Sequence, residues 1–176
     1  MKEDLLKIIQ SRRSVRKYSQ SQIPESDLHE ILKTGFSAPS AGNRQPWRVV
    51  IVKDQSRMDR IASAAYGQTF VARASVVLVV CAVPNESAER YEERGATLYA
   101  LQDTAALTQT ILLASHALGY ATCWIGAFDE DEVAKILKVP DGMRPVSIIP
   151  IGHAEGEPPK ARSRKPITDV TIEEEF

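Results

Sequence analysis

The run Ala96–Leu118, ATLYALQDTAALTQTILLASHAL, reads as one helix about 35 Å from end to end. Asp103 is its single formal charge, and from Gly95 to Phe128 there is no other. Leu98, Leu101, Leu107, Ile111, Leu112, Leu113 and Leu118 cover most of its circumference. A helix that is apolar nearly all round has to be buried on nearly all sides. In a chain of 176 residues that is hard to arrange, because one face of so long a helix ordinarily meets water. The simplest solution is a homodimer in which the helix packs against its own sheet and against the partner. A central helix in a larger monomeric core is the other.

Working outward, Ser75 to Val83 contains Val76-Val77-Leu78-Val79-Val80, a buried strand that Pro84 stops. Residues 84–94 are polar and charged and read as a surface connection. Beyond Gly119 a mainly apolar connection runs from Tyr120 to Phe128. Asp129-Glu130-Asp131-Glu132 then has the form of a capping box that opens a helix to Leu137, with Pro140 beyond it. Val146 to Ile151 is another buried strand, framed by Pro145 and Pro150. Towards the N-terminus, Leu5, Leu6, Ile8 and Ile9 make an amphipathic helix ending near Ser11. Pro24 starts a second, with Leu28, Ile31 and Leu32 as its apolar stripe and Gly35 at its end. Ser37–Trp47 is a loop, Arg48–Val52 a short buried strand and Ser56–Ala65 a helix. After Gly152 the chain is polar and proline-rich, and Ile167, Val170 and Ile172 form a weak extended pattern. That tail is suited to pairing along a sheet edge, its own or a partner's.

The apolar and charged fractions, 43% and 26%, are those of a globular protein, and the length fits one domain. A net charge of −1 gives the whole molecule no attraction for nucleic acid or an anionic membrane. Charge is nevertheless uneven: residues 1–17 carry a local balance of +4, and Lys160, Arg162, Arg164 and Lys165 form a second basic run. Cys81 and Cys123 sit in apolar contexts and read as buried free thiols in a reducing cytosol. No signal-like apolar segment follows Met1, and no unbroken apolar run is long enough to span a membrane, so a cytoplasmic location is expected.

Two segments carry candidate chemistry. Arg12-Arg13-Ser14-Val15-Arg16 follows the first helix. Basic residues near a helix C-terminus are favoured by its dipole. Guanidinium groups also grip phosphate through paired hydrogen bonds, and three in five residues exceed what capping requires. Pro39-Ser40-Ala41-Gly42-Asn43-Arg44-Gln45-Pro46-Trp47 is either a turn anchored by its Pro-Trp pair or a loop presenting amides to a ligand. Small residues there allow a backbone to approach a flat ring. His29, His116 and His153 lack metal-site spacing, so no metal is expected. Nucleophile-elbow, Walker and dinucleotide glycine motifs are absent, which removes support for hydrolysis and nucleoside-triphosphate chemistry. Only Tyr18 lies near either basic run, too few aromatics for a nucleic-acid module.

Taken in order, four segments resemble the nitroreductase family of FMN-dependent oxidoreductases, in a short form. They are Ser11–Arg16, Ala38–Trp47, Gly119–Phe128 and Arg162-Ser163-Arg164-Lys165-Pro166, and together they span nearly the whole chain. The resemblance implies an α+β, three-layer α/β/α fold with a central mixed sheet. It implies a single domain over 1–176 with an extended C-terminal arm at 153–176, and an intertwined homodimer with FMN at the subunit interface. By position, Arg12, Ser14 and Arg164 would bind the FMN phosphate, with Arg162 and Arg13 nearby, and Arg16 would stand at the flavin N1–O2 edge. Pro39, Ser40, Ala41, Asn43 and Gln45 would reach the ring from the partner subunit. Ile125, Gly126 and Ala127 would line it near N5, and Gln68 would reach its pyrimidine edge.

The implied chemistry is ping-pong: NAD(P)H delivers hydride to flavin N5 and leaves, and a small acceptor such as a nitroaromatic, quinone or enone takes its place. A cation at N1 would stabilise the charge of the reduced ring, while the chain offers no dedicated acid or base. Larger relatives carry a helical excursion between the second strand and the long helix; here residues 84–94 stand in its place, so a more open substrate pocket is expected. Dehalogenation and flavin reduction remain alternatives within the resemblance, and a flavin carrier or sensor without turnover lies outside it.

Overall fold

The computed structural model describes residues 2–175. Its centre is β2 (Val76–Ala82), every residue of which is buried. β2 lies between β1 (Trp47–Val52) and β4 (Arg144–Gly152), and the two-residue β3 (Ala121–Thr122) completes the order β1-β2-β4-β3. The β-branched run explains the burial, because side chains alternate across a strand and both faces of this one are apolar. Val76, Leu78 and Val80 pack under α2 (Glu25–Gly35) and α5 (Ala100–Ala117). Val77, Val79 and Cys81 pack under α3 (Gln55–Ala64) and α6 (Glu130–Leu137). This is the expected three-layer α+β arrangement.

The sheet corrects the expected mixed pairing in one respect. Its four strands are antiparallel throughout, and parallel pairing is confined to the single bridge between Ser14 and Thr122. Pro150 is accommodated within β4 because β3 covers only Ile151 and Gly152; the Pro150 carbonyl instead accepts the Tyr18 hydroxyl at 3.4 Å. β1 is a half-open edge rather than a buried strand: Trp47 and Val52 are buried, but Ile51 is 45% exposed. Within one chain it has a neighbour on only one side, so one edge and part of one face stay uncovered.

Residues 84–94 are a helix, α4 (Pro84–Arg94), not an irregular connection. Pro84 occupies the first turn, where its missing N–H costs nothing, and long straight side chains follow. Only Ser87 on this helix is buried, so no apolar stripe marks it. A π turn, Gly95–Tyr99, joins α4 to α5, so the long helix is regular from Ala100 onward. Gly95 is required there: a Cβ would stand 2.4 Å from the Ser87 carbonyl oxygen. α5 buries Leu107, Ile111 and Leu112, while Leu101 and Leu113 are half-buried and Leu118 is exposed.

Elsewhere the elements follow their sequence. α1 spans Lys2–Ser11, and the Asp129 carboxylate caps α6 by accepting the Glu132 N–H at 2.9 Å. Beyond Ala154 every described residue is exposed, and the tail's one regular turn is Ile167–Asp169. No described helix is long and apolar enough to cross a membrane.

Gly95→Ala is expected to lower stability by about 1–3 kcal/mol, since the new methyl meets backbone rather than a side chain that can yield. Urea denaturation measures this, and a variant as stable as the parent would show that the α4–α5 approach can relax.

Candidate active site

The arginine segment leaves α1 in extended form and is stapled on both sides. Val15 N–H donates to the Thr122 carbonyl at 2.9 Å, and Ser19 N–H to that of His153 at 2.9 Å. Buried Val15 and Tyr18 pin it inward, and the Tyr18 hydroxyl donates to the Val15 carbonyl at 2.8 Å. Burial pushes the Tyr18 phenol far above its ordinary range, so it stays a neutral donor. Held this way, Arg12, Arg13, Ser14 and Arg16 line a cavity of about 420 Å³. Its other wall is the tail, with Lys160, Arg162 and Arg164. The two basic runs of the sequence therefore meet.

No acidic side chain lines this cavity. Among the described residues none of its arginines has a carboxylate partner; Arg13, for instance, is spent on the Gln10 and Arg12 carbonyls at 2.7 and 2.9 Å. So many uncompensated cations repel one another unless an anion sits between them. Two further groups border the cluster. Cys123 is a buried thiol whose pKa burial raises, while Arg16, Arg12 and the Ser14 hydroxyl oppose the rise. His116 takes part in a 2.8 Å hydrogen bond with Ser11 Oγ, and burial followed by Arg12 and Arg13 lowers its pKa.

Arg16 also borders a second cavity, of about 450 Å³, with Thr69, Phe70 and Arg73. Its guanidinium stands 5.8 Å from the Phe70 ring centroid. Ile125 is buried and doubly hydrogen-bonded to Ile148 at 2.9 Å, which fixes the backbone that follows. Gly126 and Ala127 are exposed, and a Cβ at Gly126 would meet open space. Gln68 Nε2 donates to the Ala127 and Ala65 carbonyls at 3.2 and 2.9 Å, so Gln68 is tied to Ala127.

The amide loop is held separately. Gly42, Asn43 and Gln45 all adopt left-handed backbone conformations, with φ of 55°, 54° and 51°. For Gln45 this is a strained state that the surroundings must enforce. Ser40 Oγ accepts the Gln45 N–H at 3.0 Å, and Asp103 Oδ1 accepts the Ala41 N–H at 3.0 Å. Asp103, the lone charge of the long apolar stretch, is thus the tie between α5 and the loop. Its other oxygen is buried without a partner, and burial raises its pKa. Arg44 pairs with Glu89, and its Nε donates to the Glu86 carbonyl at 2.7 Å, binding the loop to α4.

Within one chain, then, the arginines meet the tail and Gln68 meets Ala127. The loop does not join them: Gln45 lines another cavity, with Phe36, Trp47, Arg48, Glu86 and Glu89, while Pro39 is exposed. Arg73 and Phe70 carry no sequence signal, and Lys160, His116 and Asp103, though visible in the sequence, are given no site role by it. The solitary charge of Asp103 in an apolar stretch and the place of Lys160 in the second basic run are the signals that point to them.

The nitroreductase family model matches residues 9–72 and 63–153. The chain belongs to the nitroreductase family. A relative from Archaeoglobus fulgidus, provisionally named NADH dehydrogenase/NAD(P)H nitroreductase, is 36% identical over 160 residues, 88% of either chain. An FMN reductase [NAD(P)H] of Bacillus subtilis is 28% identical over 163 residues, covering 85% of this chain and 66% of its own. In three dimensions the hypothetical oxidoreductase YcnD of Bacillus subtilis superposes with a TM-score of 0.90 at 26% identity, over 98% of this chain and 74% of that one.

A histidine whose folded-state pKa is depressed opposes the fold once protonated. Its stabilisation holds above the usual imidazole value of 6.5 and is lost as pH falls through and below it. His116→Gln should therefore flatten the drop in melting temperature between roughly pH 7.5 and 5.5. An unchanged drop would place the acid sensitivity elsewhere.

Proposed function

We propose that the chain is an FMN-dependent NAD(P)H:acceptor oxidoreductase. The observation that carries this reading is the cavity in which Arg12, Arg13, Arg16, Lys160, Arg162 and Arg164 converge without a carboxylate. The donor set fits FMN. Guanidinium groups and the Ser14 hydroxyl suit a phosphate dianion, and Thr122, paired with Ser14, keeps a buried Oγ1 without a partner. Open space at Gly126 suits a flat ring against backbone. FMN, when bound, supplies hydride acceptance from NAD(P)H and delivery of the electrons to a small acceptor.

The chain's own residues bind and orient. Arg12, Ser14 and Arg164 hold the phosphate, with Arg13 and Arg162 beside it. Arg16, placed between the two cavities, offers positive charge to the N1 edge. Gln68 and the Ile125–Ala127 backbone border the ring. Pro39, Ser40, Ala41, Asn43 and Gln45 serve the partner's site, which fits their separation from the arginines within one chain. That last assignment requires a homodimer. Its support is the exposure of Leu5, Leu6, Ile9, Phe36, Ile167 and Val170, apolar side chains that a partner would cover. The two buried free thiols suit a reducing, cytoplasmic setting.

Purified protein should carry, or take up, FMN, and NADH or NADPH should bleach it under anaerobic conditions. Bound flavin that neither nucleotide bleaches would instead identify a carrier. Arg12→Ala should lower FMN retention about tenfold, the loss of one charge-assisted contact, whereas Lys33→Ala should not; equal retention would refute the phosphate assignment. In sedimentation velocity the holoprotein should run as a dimer, and a stable folded monomer would overturn the shared site.

A further inference from the structure

Helix α4 and the π turn carry side chains that the cofactor-binding set does not use. The Arg90 guanidinium lies 5.5 Å from the Tyr91 ring centroid, and that of Arg94 lies 5.3 Å from Tyr99. Arg94 Nε also donates to the Tyr99 hydroxyl at 2.9 Å, and the two rings meet edge to face at 5.1 Å. This group abuts the amide loop. A Cβ on Gly42 would stand 2.6 Å from Tyr91 Oη and 2.9 Å from Arg90 Nη1, so the loop and α4 touch where the backbone turns left-handed.

The charges differ from those next to them. Arg44 and Arg48 are neutralised by Glu89 and Glu86. Among the described residues neither Arg90 nor Arg94 has an acidic partner, although Glu92 and Glu93 lie on the same helix. Stacking on an aromatic ring fixes the guanidinium plane while leaving its charge and outer N–H groups for a ligand. Tyrosine rings supply a surface for a flat molecule, and the arginines supply donors for an anion at its rim.

We propose that Arg90 and Arg94, held by Tyr91 and Tyr99 beside the Gly42 turn, form an acceptor subsite for flat aromatic molecules bearing one carboxylate. This rests on the oxidoreductase reading, in which the loop reaches the flavin across the interface and this cluster accompanies it. The arginines select the acceptor by binding and take no part in electron transfer, so their effect falls on KM and not on kcat.

The test compares 4-nitrophenylacetate, in which a methylene separates the carboxylate from the nitrated ring, with its neutral methyl ester. One NAD(P)H and one proton reduce the nitro group to a nitroso group, releasing NAD(P)+ and water. The acid should have a kcat/KM about fivefold above that of the ester, carried by KM, a factor expected of an exposed ion pair. Arg90→Gln with Arg94→Gln should abolish the preference, and the double Lys replacement should restore part of it. Isothermal titration with phenylacetate, which is not reduced, should show the same loss of affinity in the Gln variant. Equal use of acid and ester, or a preference that survives in the Gln variant, overturns the proposal. So does a KM rise for NADPH alone, which would assign the arginines to the nucleotide's extra phosphate. Flavin that no nucleotide bleaches would sink the enzyme reading, while the phenylacetate titration still reports on the anion site.

Discussion

Two-sided burial of β2 is the constraint from which the other placements follow. A strand with no polar face needs a helix layer above and below it, and α2 with α5 and α3 with α6 supply them. Because β2 occupies the middle, β1 is pushed to one edge and the short β3 to the other. The edge beyond β3 then receives the arginine segment through the Ser14–Thr122 bridge. The charged end of the molecule is thus fixed by what its most apolar strand requires.

Where a single local signal sufficed, the sequence could be read to within a residue or two. The β-branched run of β2, the Pro24 and Gly35 boundaries of α2 and the Asp129 cap of α6 are such cases. The failures share one physical cause. α4 is polar on nearly every face, so it lacks the periodic apolar stripe that marks a helix, and its backbone hydrogen bonds leave no trace in composition. β1 has the residues of a buried strand, but burial depends on neighbours, and which strand stands at the edge is a property of topology. The homodimer read from α5 likewise depends on neighbours, and Leu101 and Leu113 are half-buried within their own chain.

The candidate site was legible as chemistry and not as geometry. Arginine runs near residues 12 and 162 announced an anion site, and the fold brings them to one cavity. Their lack of carboxylate partners could not be read, because it depends on what else faces the cavity. Arg73 carries no motif, and only position reveals it. Asp103 differs: its isolation in an apolar stretch was visible, but its role as the anchor of a strained loop was not.

The tail that completes the arginine cavity has no core of its own, and beyond Ala154 all of its described residues face solvent. On the oxidoreductase reading, the phosphate it grips joins Arg162 and Arg164 to the arginine segment that follows the first helix. Cofactor supply then becomes a matter of protein lifetime. Newly made chains in a flavin-starved cell would offer proteases a long, proline-rich handle, while loaded chains would hide it. Protease resistance of the tail would then track its flavin loading.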